Sequence, residues 1–484
     1  MSSLKKAALH GVFWSFAERF GQQGVQFVIW IILARLLEPK DFGVLAMIMI
    51  FSALAQSVIE SGFGMALIQK QDATHTDEST VFWFNIVVGV VMAGALYSAA
   101  PLIAEFYNTP LLTPITQVFS LNLIISSFGI VHNALLVKEL AFKRRTKVVI
   151  VSAIVSGLVG IFMAFQGFGV WALIAYGLVM SGVRTAGLWM VHSWRPAFIF
   201  SGASFRTLWK FGSNLLFTGL LNTFFDNIYL VIIGKVYSVA DLGFYQLGKR
   251  LMALTSTSLA QVISQVNFPL LSKIQDDPDR MRRAFSHVLP MTMLVILPIM
   301  LGLAAVAPNF IMVLLGEKWM PTVPYLQVFC IIGAFYPIHL LNVNVIMAKG
   351  HSNIVLRLEI IKKIIIILNI VINWQNGIMA LLWGQVVSNI LSLVINAFYV
   401  HRFIGYGLLA QLNAMKKILV ASLLMVGVVW WAGKILNMPA FAMLLLQVFS
   451  GGIVFVALLW VLREPVFKDG FLWITTKLRE KKDE

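Results

Sequence analysis

Six ionisable side chains interrupt otherwise apolar runs of this chain: Glu18, Arg19, Glu60, Asp226, Lys249 and Arg250. Placing a charge near the middle of a bilayer costs about 2.5–3.5 kcal/mol on insertion scales, so such groups belong against a wet cavity or against one another. They come with polar company. Gln22, Gln23 and Gln26 follow Arg19 along one helical face. Gln56 stands one turn before Glu60, and Asn222 one turn before Asp226. Gln246 precedes Arg250 by one turn, beside Lys249, and Thr257, Gln261 and Gln265 continue that face; Gln385, Asn389, Ser392 and Asn396 form a milder stripe. Arginine grips phosphate or carboxylate with two parallel donors, and lysine adds a point charge. Arg19, Lys249 and Arg250, with Gln22, Gln26, Asn222 and Gln261 as neighbours, therefore suit an anionic substrate. Glu18, Glu60 and Asp226 can titrate or hold a cation, which would couple movement to a proton or sodium gradient. Salt bridges among Glu18, Arg19 and Glu60 that only hold helices together are the competing reading.

The elements carrying these residues are membrane helices. Of 484 residues, 59% are hydrophobic and only 12% charged, against about a quarter charged in a soluble domain; mean hydropathy is +0.85. Apolar runs of about 20 residues, each able to cross roughly 30 Å of hydrocarbon, recur along the chain. We read fourteen spans, centred in 11–34, 43–67, 81–104, 114–137, 148–166, 169–191, 211–234, 242–270, 286–314, 323–347, 358–374, 377–400, 417–436 and 440–462. The net charge of +16 is distributed as a topology signal rather than as a nucleic-acid footprint. With the N-terminus in the cytoplasm, the segments around Lys143, Arg144, Arg282, Lys362, Lys416 and the tail from Arg463 all fall inside. Only Arg35, Lys40, Lys235, Lys318 and Lys434 fall outside, the positive-inside pattern. Both termini are expected in the cytoplasm. The first run holds Glu18 and Arg19 and lacks a small-residue cleavage site, so it reads as a retained helix. Arg184, Lys210 and Lys235, near helix ends, read as side chains reaching for headgroups. The segment 196–211 reads as lying along the interface. The glycines of "GQQG" (21–24) and "SGFG" (61–64) read as close-packing positions inside helices.

Enzyme signatures are missing. The chain has no GxxxxGK[ST], no HExxH and no cysteine–histidine cluster, and Cys330 is its only cysteine. No enzyme activity, metal or cofactor is expected, and His132 reads as a packed polar residue.

Two segments repeat. "LARLLEPKDFG" (33–43) is echoed by "IGKVYSVADLG" (233–243), and "PITQVF" (114–119) by "PYLQVF" (324–329). Six helices separate the copies, so both cross the membrane in one direction, as in a parallel transporter repeat. The expected organisation is a six-helix lobe over 1–200, a second over 201–405, and helices 13 and 14 with a basic tail over 406–484.

"LARLLEPKDFGVLAM" with "SGFGMALIQKQ", and later "DNIYLVIIGKVYSVADLGFYQLGKRL", "LLGEKWMPTVPYLQVF" and "MAKGHSN", resemble the signature of Wzx-type polysaccharide flippases, over roughly residues 5–400. The match is nearest the colanic-acid and exopolysaccharide exporter branch. The resemblance implies the all-α fold of the multidrug/oligosaccharidyl-lipid/polysaccharide exporter superfamily, two six-helix lobes plus two helices. It implies an oligosaccharide repeat unit on undecaprenyl pyrophosphate, turned across the bacterial inner membrane for O-antigen, capsule or exopolysaccharide synthesis. A polysaccharide polymerase and a chain-length regulator are the implied protein partners, with membrane lipids around and no nucleic acid. The rivals are a cation-coupled multidrug exporter of the same superfamily, a fourteen-helix major-facilitator exporter, a membrane polymerase or ligase, and a non-transporting scaffold of a synthesis complex. The major-facilitator pattern is absent where "QKQDATHTDEST" stands, and no loop is large enough for a polymerase's catalytic residues.

Overall fold

A computed structural model describes residues 21–60, 62–70 and 72–467. Among them all regular structure is helical. Residues 21–36 form α1. There follow α2 (Pro39–Glu60), α3 (Phe63–Gln69), α4 (His75–Phe106), α5 (Leu112–Ser127), α6 (Ile130–Lys138), α7 (Phe142–Phe165), α8 (Val170–Val191) and α9 (Gly202–Val236). Next come α10 (Val239–Met252), a π-helical turn at Ala253–Thr257, and α11 (Ser258–Lys273). The remainder is α12 (Pro278–Leu314), α13 (Thr322–Ala348), α14 (Ser352–Asn373), α15 (Ile378–Ile404), α16 (Leu408–Ile435) and α17 (Ala440–Val461).

Eleven helical segments among the described residues are long and apolar enough to cross a membrane, with α2–α3 and α5–α6 each counting as one. Of the other expected spans, 11–34 runs outside the described residues. Residues 242–270 carry Lys249 and Arg250, and 358–374 belongs to a helix carrying Arg357, Glu359, Lys362 and Lys363, so both are more polar. Outward residues confirm the lipid-facing character: Phe449 and Ile453 on α17 are 67% and 69% exposed, an arrangement water would penalise. The protein is a multi-pass membrane protein.

The chain forms two compact units, Met1–Gly243 and Phe244–Glu484. In the first, α2 packs against α9, α4, α5 and α8, and α7 lies along α8. Because α9 runs along α2, it belongs to the first unit, whereas the repeat divides the sequence near residue 200. In the second, α12 is central, packed on α13, α16 and α17, while α15 packs on α13 and α14.

The repeated segment has a local cause. Asp41 accepts from the Glu38 backbone N–H at 3.0 Å. Asp241 accepts from the Ser238 hydroxyl at 2.7 Å, and that hydroxyl accepts from the Asp241 N–H at 3.1 Å. In the first copy the acidic residue itself accepts from the helix start, and in the second it holds the Ser238 hydroxyl that does, the two halves of a capping box. The paired glycines serve close approach. A Cβ on Gly43 would overlap the Val239 carbonyl, and one on Gly243 would overlap that of Pro39.

The local structure adds detail to two expectations. Residues 196–201 have no regular structure, and from Gly202 onward the chain is the start of α9, a 35-residue helix whose apolar span begins at Leu216. Its Phe205 and Trp209 pack on Phe63 with ring centroids 5.7 and 5.9 Å apart. "SGFG" is not continuous helix. Gly62 has φ +70°, a left-handed conformation that glycine adopts without steric cost, and it separates α2 from α3.

Candidate functional site

The break at Gly62 sits in the wall of a cavity of about 450 Å³ within the first unit. A second break, between α5 and α6 at Phe128–Gly129, also borders it through Gly129. Non-helical backbone at membrane depth is tolerated where it is buried in protein or lines a water-filled space, so two interrupted helices converging on one hollow mark it as polar. Glu60 stands at the end of α2, roughly 30 Å along the helix from Pro39 at 1.5 Å per residue. The cavity thus lies toward the end of the unit that carries Lys70 and Lys138, not at the end marked by Asp41.

The polar wall is built from four helices. Gln56 Nε2 donates to Glu60 Oε1 at 3.1 Å, an i, i+4 pair on α2. The Ser126 hydroxyl of α5 donates to Gln56 Oε1 at 2.9 Å, so one amide ties the carboxylate's helix to the broken α5–α6 segment. Asn133 of α6 also lines the space, and its Oδ1 is buried without a protein partner. Leaving such an acceptor unpaired costs about 1–3 kcal/mol, which a bound hydroxyl would relieve. Arg184 and Thr185 of α8 complete this side, with Thr185 held by donating to the Ile125 carbonyl at 3.0 Å. Leu216 and Gly219 bring α9 to the opposite side, and the Ser57 and Thr223 hydroxyls join α2 to α9 at 3.0 Å.

At the nearby helix ends, Asp77 accepts from Lys70 at 2.7 Å and from the Thr74 N–H at 2.9 Å. Lys138 Nζ donates to the Lys70 carbonyl at 2.8 Å. These contacts fix the α3–α4 connection to the end of α6. The hollow combines one carboxylate, one guanidinium, two amides and several hydroxyls. Such a set can hydrogen-bond sugar hydroxyls in several directions and can balance a phosphate charge with Arg184.

The sequence-expected site residues divide as follows. Glu18 and Arg19 lie outside the described residues. Gln22 and Gln26 are half-buried on α1. Glu60 lines the cavity. Asn222 and Asp226 are exposed on α9, three and seven residues beyond Gly219, so Asp226 continues the face that carries Thr223. Lys249 and Arg250 belong to the second unit, half-buried on α10 just before the π-helical turn, with half-buried Gln261 on α11. The cavity thus brings together Glu60 from that set with residues the set omitted: Gln56, Ser126, Asn133 and Arg184. Arg184, expected to reach for headgroups, lines the hollow. The signal for Asn133 was its position one residue after His132, which is buried and stacks on Trp189 at 4.5 Å.

A second charged group missed in sequence lies in the second unit. Glu359 of α14 binds Lys362 at 2.6 Å and Lys363 at 3.6 Å, with both ammonium groups largely buried. Read as basic residues for topology, they form an ion triad seven to eleven residues into α14. Nearby His339 of α13 is 3.3 Å from Asn396 of α15.

Comparison with known proteins follows the same lines. The family model described as "Polysaccharide biosynthesis protein" matches residues 32–324. The chain is 28% identical over 401 residues to the lipopolysaccharide biosynthesis protein WzxC of Escherichia coli (strain K12), covering 82% of this chain and 81% of that protein. It is 28% identical over 359 residues to the teichuronic acid biosynthesis protein TuaB of Bacillus subtilis (strain 168), covering 73% and 74%. Among solved structures it is similar to the lipid II flippase MurJ in an inward closed conformation, with TM-score 0.76, 14% identity and coverage of 94% and 98%. It is also similar to an inward-facing multidrug resistance MATE family transporter, with TM-score 0.65, 13% identity and coverage of 79% and 94%. At these identities the structural likeness establishes the fold.

Proposed function

The chain belongs to the polysaccharide biosynthesis protein family, and from that premise we propose that it is a flippase for lipid-linked oligosaccharides. Its substrate is an oligosaccharide repeat unit on undecaprenyl pyrophosphate, moved from the cytoplasmic to the outer leaflet of the bacterial inner membrane for surface polysaccharide synthesis. The relatives named for lipopolysaccharide, teichuronic acid and succinoglycan biosynthesis transport support this substrate class. The observation that carries it is the polar hollow inside the membrane helices of the first unit, walled by Glu60, Gln56, Ser126, Asn133 and Arg184.

In this reading the chain works as two repeat-related lobes, 1–200 and 201–405, with 406–484 adding two helices and a tail. Both termini lie in the cytoplasm, which places the hollow toward the side where the substrate is made. Sugars exchange hydrogen bonds with water for hydrogen bonds to the amide and hydroxyl wall, while the lipid tail stays in the bilayer. Arg19, Lys249 and Arg250 hold the pyrophosphate, assisted by Gln22, Gln26, Asn222 and Gln261. Proton or sodium movement at Glu18, Glu60 or Asp226 resets the cycle of alternating access. A polymerase and a chain-length regulator act downstream. The test is transfer of a fluorescent undecaprenyl-pyrophosphate oligosaccharide across vesicles containing the purified protein. Rapid loss of label to an outside quencher is expected, and transfer no faster than in empty vesicles would refute the reading.

A second reading, a cation-coupled drug exporter, is favoured by the exposed carboxylate of Glu60 in the hollow. It requires that expression raise resistance to cationic drugs; the flippase reading requires that it does not.

A further inference from the structure

The second unit holds a separate cavity of about 620 Å³, where α12 and α16 begin and α17 ends. Its lining is graded along the helices. Ser286 and His287 on α12 and Asn413, Lys416 and Lys417 on α16 supply the polar end. One turn deeper on the same helices, Pro290 and Val420 supply an apolar floor, joined by Leu462 after α17. On α16 the residues 413, 416, 417 and 420 follow the i, i+3, i+4, i+7 spacing of a single face. The arrangement is built into the helix rather than assembled from stray surface lysines.

The charge balance is cationic. Lys416 and His287 are exposed to the cavity mouth. Lys417 donates to the Arg463 carbonyl at 3.2 Å, which closes the end of α17 against α16. Glu464 is the carboxyl in the lining, only 4% exposed. Burial pushes its pKa up, against the pull of Lys417 and of the Val466 N–H, so it offsets less of the positive charge than a free carboxylate would. At the start of α12, Arg282 is paired with Asp279 at 3.4 Å, so the charge at the cavity comes mainly from α16 itself.

We propose that this cavity is a binding site for the phosphate-bearing headgroup of an anionic phospholipid. Lys416 and His287 donate to phosphate oxygens, Asn413 and Ser286 meet the headgroup hydroxyls, and Pro290, Val420 and Leu462 receive the glycerol and the first methylenes. The volume lies within the range of about 300–1,000 Å³ typical of small-molecule sites. Basic pockets between membrane helices are suited to such headgroups. A free phosphate would use only the polar end. Beyond Val420 the apolar side of α16 continues through Leu423 and Leu424, 53% and 50% exposed, which is the path an acyl chain needs. The site stands apart from the transport reading and does not depend on it.

The test is native mass spectrometry of the purified full chain after exchange into equal phosphatidylglycerol and phosphatidylcholine. The wild type is expected to retain phosphatidylglycerol over phosphatidylcholine by about fivefold or more, a difference of about 1 kcal/mol. Lys416→Gln with His287→Gln is expected to abolish the preference, and Lys416→Arg to keep it. Val420→Trp, which fills the floor without changing charge, is expected to reduce retention of the lipid. These substitutions are at exposed positions, and a single symmetric size-exclusion peak confirms folding. Three results would overturn the proposal: no preference in the wild type, an undiminished preference in the double variant or undiminished phosphatidylglycerol retention in Val420→Trp, or thermal stabilisation by millimolar inorganic phosphate with no preference between the lipids.

Discussion

Gln56 Nε2 donates to Glu60 Oε1 at 3.1 Å, while the other end of the same amide accepts from Ser126. One neutral side chain therefore orients the carboxylate of a broken helix and locks it to the neighbouring broken helix. Removing Glu60's charge and removing its support should have separable effects.

Glu60→Gln keeps the shape and the Gln56 contact but removes the charge. If the carboxylate couples transport, flipping should fall about tenfold, equivalent to about 1.4 kcal/mol, with unchanged protein level. Varying the proton gradient should then no longer alter the remaining rate. Flipping at the wild-type rate under both conditions would leave Glu60 a structural group. Ser126→Ala should cost less, about 0.5–1.5 kcal/mol, because only a neutral hydrogen bond is lost.

Arg184 offers a sharper discrimination. Arg184→Ala should weaken substrate binding, seen as a raised half-saturation concentration in the vesicle assay, while Arg184→Lys should recover part of it. A lysine restores the charge but not the two parallel donors. Equal behaviour of alanine and arginine at this position would remove it from the substrate wall.

Gly62→Ala places a side chain at φ +70°. Because alanine is strained there, a loss of about 1–2 kcal/mol is expected from the left-handed backbone alone. Gly43→Ala should be worse, since its Cβ would meet the Val239 carbonyl rather than a movable side chain. Thermal unfolding in detergent should rank the wild type above Gly62→Ala, and Gly62→Ala above Gly43→Ala. The reverse order would mean the α2 start yields more easily than its packing suggests.

Glu359→Gln should leave Lys362 and Lys363, both largely buried, without the carboxylate they share. Breaking such a group from one side is costly, whereas replacing it by apolar residues of similar volume is often neutral. The single variant should accumulate poorly in membranes, and adding Lys362→Met and Lys363→Met should restore the level. If the triple variant folds but does not transport, the triad takes part in the cycle.

The fold was largely legible in sequence. Runs such as 81–104 and 440–462 hold too much apolar surface for any environment but lipid, and basic residues cluster on alternate connections. Asp41 and Asp241 were legible too, since capping is decided within four residues. The cavity was not. Stripes of glutamine and charge point inward in several helices, and helical periodicity cannot say which stripes share one hollow. Arg184 sits late in α8, where length alone sends an arginine to the headgroups. The Gly62 interruption reads in sequence as close packing, and Gly129 gives no signal, because glycine spacing looks the same in a straight helix and in a broken one.

Composition and local pattern by themselves determined that this chain crosses a membrane many times, that its two starts at Pro39 and Val239 are built alike, and that it must shelter its buried charges. Those outcomes follow from the cost of burying charge and unpaired backbone groups in hydrocarbon, which every segment meets alone. Which of those charges meet was decided only by tertiary packing. Glu60 reaches Ser126 through Gln56, and Glu359 gathers two lysines, because helix faces are rotated into place by contacts between distant segments that no single span encodes.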